Sequence, residues 1–283
     1  MVPVTMLFGG AGMFVPNVDK RKIMQMKTKP ISIYWTGDPV PSDRHNQNFF
    51  HAEPQTLWDN VVEEYTINPD TYDEGVTIPG PSVMACPGWQ DLTRHTLLIK
   101  VPMSGAYKIN GTKVEPVGLP SMFSGQVVRH PSFAGHKLFN FRMPMYFFAD
   151  EPVQMTLTSP WFHKPGYTKY AAIVPGRYDI GSWYRALSFE MSMWEEDADY
   201  IEFTEGEPIA YLTFDTNKPI NLIKYSGTEN LRRIGSLCET AGHWEPRVPL
   251  LKRYKRFKEG KMREEVLREI ESGLVEKRCP YTG

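Results

Sequence analysis

Residues 201–214, IEFTEGEPIAYLTF, decide how the chain is read. Ile201 and Phe203, then Ile209, Tyr211 and Thr213, alternate with Glu202 and Ala210. A period of two belongs to strands, because successive side chains of an extended backbone point to opposite faces. Gly206 lies between the two runs and supplies the positive φ that a tight turn needs, and Pro208 limits what can pair beside it. The stretch reads as strand–Gly–strand, closing a β-barrel or a β-sandwich and carrying no catalytic group of its own.

The same alternation recurs outward from this point. ISIYWTG (31–37) predicts a first strand, closed by Gly37 and Asp38. Residues 38–56, rich in Pro, His and Asn, predict a long surface loop. LWDNVVEEYTIN (57–68) fits either a strand or a short helix. Within 97–116, Tyr107 and Ile109 alternate, Asn110-Gly111 is a type I′ turn signal, and Val114 resumes on the far side, so a hairpin is predicted. Aromatic and β-branched residues crowd 138–158, which predicts buried strands, and further strands are expected at 169–178, 185–194 and 219–225. The chain's 24 Pro and 22 Gly, spread along its length, favour short elements joined by turns.

Only the last fifth changes character. After Pro249 the text becomes LLKRYKRFKEGKMREEVLREIESGLVEKR, with Met262, Val266, Ile270 and Leu274 at helical spacing. Residues 247–278 carry 11 Lys and Arg against 6 Asp and Glu, leaving 21 against 27 elsewhere. The expectation is an acidic β-rich body with a basic, helical C-terminal arm broken near Gly260. The arm either packs its apolar stripe back on the body or docks on a partner, another protein or a second copy. The divisions read as a lead segment (1–30), a mainly-β domain (31–249) and the arm (250–283).

With 283 residues and a net charge of −1, the chain can bury a sizeable core and offers no global charge argument for nucleic acid or membrane. No apolar run approaches the roughly 18 residues of a membrane span, and MVPVTMLFGGAGMFVP lacks the basic start and cleavage site of a signal peptide. Cys86, Cys238 and Cys279 are odd in number and far apart, which fits reduced thiols better than disulfides or a zinc site.

Motifs that would carry chemistry are incomplete. FGGAG (8–12) lacks the Lys-Ser/Thr of a phosphate loop. HAE (51–53) matches half of the zinc deaminase signature, but ACPGW supplies only Cys86 where two thiolates are needed. The pairs His45/His51 and His130/His136 have no carboxylate at metal-ligand spacing, and no G-x-S-x-G elbow occurs. No metal and no cofactor is expected. Trp161, Phe162, Tyr167, Tyr170, Trp183 and Tyr184 either fill core space or line a groove, where Arg177 and Arg185 would suit a planar or anionic ligand.

GRYDIGSWYRALSFEM (176–191) followed by IEFTEGEPIAYLTF resembles the closing segments of the dUTPase and dCTP deaminase barrels. Gly206, Ile209, Ala210 and Leu212 match the final G-x-x-I-A-Q-L strand, with Tyr211 in place of Gln. Asp179 stands five residues before Tyr184 where three are usual, and Ala186 replaces a Gly. The resemblance covers about 40 residues and implies a related β-architecture. CPGWQDLTRHTLLIKVPMSGAYKI (86–109) and MYFFADEPVQMTLTSPWFHKPG (145–166), with the segments above, resemble an uncharacterised family from tailed phages of marine bacteria with bacterial relatives. That resemblance implies a place in the host cytoplasm or the virion but no activity, and Cys86-Pro87 would be the buried start of a strand.

Two functions follow as expectations. One is a phage-encoded binding or assembly protein without catalysis. The other is an enzyme acting on a nucleotide or another small anion, with Asp179, Tyr184 and Arg185 in the pocket beside Arg177 and Trp183. In that case Arg185 would pair with phosphate and Asp179 would orient a water.

Overall fold

The computed structural model describes residues 29–37, 53–67, 86–110, 113–118, 125–129, 137–194, 200–238 and 249–274. The chain is mainly β, and among these residues no sheet closes into a barrel. The lead segment to residue 28, FGGAG, His45, His51, His130, His136 and Cys279 lie outside the described residues.

The first sheet is organised by one long strand, β7 (Lys137–Ala149), which takes different partners along its length. β6 (Gly125–Arg129) and β1 (Ile31–Thr36) pair with its two ends, and β11 (Ala186–Met193) pairs with residues 137–146. β14 (Ile220–Lys224) lies parallel to β1, and β9 (Ala171–Ile173) is antiparallel to β11. The second sheet runs β10 (Gly176–Asp179), β8 (Gln154–Thr158), β13 (Pro208–Phe214), β3 (Thr96–Lys100) and β2 (Gln55–Thr56). A third, three-stranded sheet holds β12 (Tyr200–Phe203), β4 (Gly105–Asn110) and β5 (Lys113–Val117).

Alternation along the strands builds the layers. Ile31, Ile33 and Trp35 of β1 and Met145, Phe147 and Ala149 of β7 face inward, against Leu97 and Ile99 of β3 and Ala210, Leu212 and Phe214 of β13. The interleaved residues face the other way. Tyr34, Tyr146 and Phe148 meet the C-terminal helices α3 (Glu229–Cys238), α4 (Leu250–Glu259) and α5 (Met262–Ser272). Leu98 and Tyr211 meet Leu57 and Val61 of α1 (Leu57–Ile67), with Trp89 of α2 (Pro87–Arg94) packed against them. Two sheets therefore share a sandwich-like core while helices cover the outer face of each. That is why both registers of these strands are apolar, as expected when both faces are buried.

Several expectations change against this architecture. β12 and β13 do flank Gly206, whose φ is +82°. They belong to different sheets, so the segment passes from one sheet to another, and β13 is interior to its sheet. The hairpin exists between β4 and β5, with Asn110 paired to Lys113, but its first arm begins at Gly105, since 96–100 belongs to β3. Residues 57–67 are helical. Cys86 is exposed and precedes α2, with Pro87 in the first turn, so the Cys-Pro step starts a helix and not a buried strand.

The arm was expected at 250–278, and its two helices break at Gly260 and Lys261, whose φ is +53°. Val266 and Ile270 are fully buried, with Met262 and Leu274 packed beside them. The stripe therefore packs back on the body. It does so with α3, which the sequence reading missed, and the three helices form one layer.

Candidate functional site

Arg177 and Asp179 are two apart on β10 and share a face, while Tyr178 between them packs against the core. Burial raises the Tyr178 hydroxyl, with the Arg185 guanidinium opposing the shift. From that shared face the two residues engage different surroundings. Arg177 forms an exposed ion pair with Asp215. It borders a cleft of about 400 Å³ with Asp91, His95, Thr156, Thr213 and Thr216. Asp179 is mostly buried, and its Oδ2 lies 3.8 Å from Lys258 Nζ of α4. The Tyr254 hydroxyl is raised chiefly by burial and next by the Asp179 carboxylate beside it.

Trp183 and Tyr184 follow the turn after β10 and enter the helix-covered core. Trp183 packs on Tyr254 at 4.9 Å and meets Phe257 edge-on at 5.7 Å. Tyr184 is fully buried, stacks on Tyr146 at 5.0 Å and shares a hydroxyl–hydroxyl hydrogen bond of 2.9 Å with Tyr225. Burial raises both hydroxyls above their ordinary range, so the pair stays neutral. Arg185 donates from Nε to the Ala186 carbonyl at 3.4 Å. The void it lines with Tyr178 and Trp183 holds about 20 Å³, room for a water and not for a nucleotide.

The five expected residues are therefore neighbours in sequence that serve separate places. Asp179, Trp183 and Tyr184 seat α4 and its companions, Arg185 lines a small void, and Arg177 alone reaches the polar cleft. The six aromatic rings divide in a similar way, Tyr170 lying half-buried at the end of the turn at 166–169. Tyr167 fills the main core and donates to the Ile209 carbonyl, whereas Trp161 and Phe162 are each 46% exposed on the α1–α2 side. Trp161 meets Tyr211 edge-on at 5.3 Å, and Phe162 lies 5.9 Å from Trp89.

Two features were not read from the sequence. His95 ties the end of α2 to the β13–β14 connection: Nδ1 lies 2.8 Å from the Asp91 carbonyl and Nε2 lies 3.0 Å from the Lys218 carbonyl. The second contact spans 123 positions, so no local signal announces it. The other is a groove of about 710 Å³ along α4, lined by Pro249, Leu251, Lys252, Tyr254, Lys255 and Lys258. Its signal was present in LLKRYKRFKE, where an apolar residue falls on the charged side of the helix.

Among the described residues, no group of three or more His, Cys, Asp and Glu could hold a metal ion, and no helix is long and apolar enough to cross a membrane. No family model, curated protein or solved structure matches the chain.

Proposed function

We propose that the chain is a phage-encoded binding or assembly protein without catalysis, working in the host cytoplasm or the virion. One observation carries this reading: α4 buries one face against the body and holds an exposed apolar residue on the other. Phe257 on its inner face is buried against the sheet, while Leu251 on its outer face is 80% exposed within a row of lysines. An apolar side chain held in water beside fixed charges suits contact with a partner. The burial of Tyr184 and Trp183 adds support, because groups that hold the fold together cannot also meet a substrate.

The second reading, an enzyme for a nucleotide or another small anion, draws on the polar cleft beside Arg177 and His95. An anion there must displace Asp215 from the guanidinium. The two readings separate on incubation of the full chain with nucleoside triphosphates and magnesium. No phosphate or pyrophosphate release is expected. Release that is lost in Arg177→Ala would establish the enzyme instead.

A further inference from the structure

We infer that the partner for the α4 groove is a second copy of this chain, bound through the edge strand β12. This deepens the binding reading above and rests on it. Residues 186–217 hold nine Asp and Glu and no Lys or Arg, and α4 holds five Lys and Arg against Glu259.

Among the described residues, Glu202 and Glu205 of the first set and Lys252, Lys255 and Lys258 of the second are exposed, while Arg253 is buried. β12 lies at the edge of its sheet, pairing with β4 on one side. Ile201 and Phe203 are buried, so Tyr200 and Glu202, two apart, share the solvent face. Tyr200 is 44% exposed, and Glu205 in the following turn is exposed as well. Tyr200 and Glu202 thus project from one surface, with exposed Lys108 of β4 paired opposite the ring.

The α4 groove is its counterpart. Leu251 and the stems of Lys252, Lys255 and Lys258 line an apolar floor, with Glu259 also in the lining and the Lys258 ammonium 3.8 Å from Asp179, which leaves Lys252 and Lys255 to meet a carboxylate partner. Lys255 is tied only loosely to Glu259, at 3.6 Å, in an exposed i,i+4 pair. Lys252 has no ion pair among the described residues. Tyr200 fits the floor, and Glu202 and Glu205 fit the rim. Within one chain α4 packs with α3 and α5, whereas β12 packs with β4 and the turn at 166–169, so the two surfaces belong to different parts of the fold. Repeated head to tail, a contact between these unlike patches builds rings or filaments.

Light scattering on two variants and their mixture tests this. Leu251→Asp/Lys255→Ala removes the groove, and Tyr200→Ser/Glu202→Ala removes the edge. All four positions are exposed, and circular dichroism checks that each variant keeps the wild-type fold. At about 100 µM, where an interface of micromolar strength is saturated, wild type should climb beyond twice its 32.5 kDa mass at low salt. It should fall back toward one chain at about 1 M salt, where the Debye length is about 3 Å. Each variant alone should remain a monomer, and their equimolar mixture should form a two-chain complex through the one intact interface. A monomeric wild type, a variant that assembles like wild type, or a mixture that stays monomeric would each overturn the inference. Such a failure without nucleotide turnover would leave the binding reading standing with another partner.

Discussion

Trp183 and Tyr254 pack ring on ring, 4.9 Å between centroids and 30° between planes, and so join the turn after β10 to helix α4. Phe257, one helical turn on, meets the same indole edge-on and is 1% exposed. The C-terminal helices are therefore a layer of the fold. Phe257→Ala should lower the unfolding free energy by about 3–5 kcal/mol, the usual cost of emptying a buried aromatic site. Urea titration followed by tryptophan fluorescence reads this directly.

The Tyr184–Tyr225 hydroxyl pair gives a second test. Tyr184→Phe leaves the Tyr225 hydroxyl buried without this partner, at a cost of about 1–3 kcal/mol. The double variant with Tyr225→Phe should cost less than the sum of the two single changes, because neither hydroxyl is then stranded. Strictly additive losses would show that the bond contributes nothing.

Alkaline pH should unfold the protein. Tyr107, Tyr167, Tyr184 and Tyr225 are all raised above their ordinary value of 10.0, with burial the first cause in each. A raised folded value favours the neutral form. The stabilisation is complete below about pH 10, the unfolded value, and is lost as pH climbs toward the folded values. Ultraviolet titration should show these hydroxyls ionising together with loss of the native fold. Smooth ionisation of every tyrosine in a still-folded chain would contradict the burial.

Much of this architecture was legible in sequence, and the rest was not for physical reasons. The alternation in 31–37 and 201–214 located β1, β12 and β13, because extended backbone imposes it locally. The same alternation could not tell which strand pairs with which. β12 and β13 read as strand–Gly–strand, although each finds a partner roughly a hundred positions away, in β4 and β3. α2 and α3 have no extended apolar stripe like that of the arm, yet both carry start signals. Pro87 sits in the first turn of α2. The Thr228 hydroxyl accepts from the Leu231 amide at 3.1 Å, which is the contact of an N-cap. The candidate site dispersed because adjacency along 177–185 says nothing about which layer each side chain enters.

Thr228 itself supplies another test, since its hydroxyl also donates to Glu269 of α5 at 2.5 Å. Thr228→Ala should cost about 1 kcal/mol through the lost cap, whereas Thr228→Ser should be close to wild type. Thermal melts of the two variants distinguish the hydroxyl from the methyl group.

Gly181 marks a close approach between the turn after β10 and the β7–β8 connection. A Cβ there would stand 2.5 Å from the Glu151 carbonyl oxygen and 2.7 Å from Pro152 Cα. Both neighbours are backbone, so Gly181→Ala must move one segment or the other. A loss of about 1–3 kcal/mol is expected, as for overpacking elsewhere. An unchanged melting temperature would show that the turn has room to move.

The most direct measurement of the central claim, that α4 holds the fold with one face and binds with the other, is Lys252→Glu/Lys255→Glu followed for melting temperature and mass in the same sample. Both lysines are exposed, so unfolding free energy should stay within about 0.5 kcal/mol of wild type. Low-salt association should be lost. A large drop in melting temperature, or a mass unchanged from an assembling wild type, would contradict the division of labour on this helix.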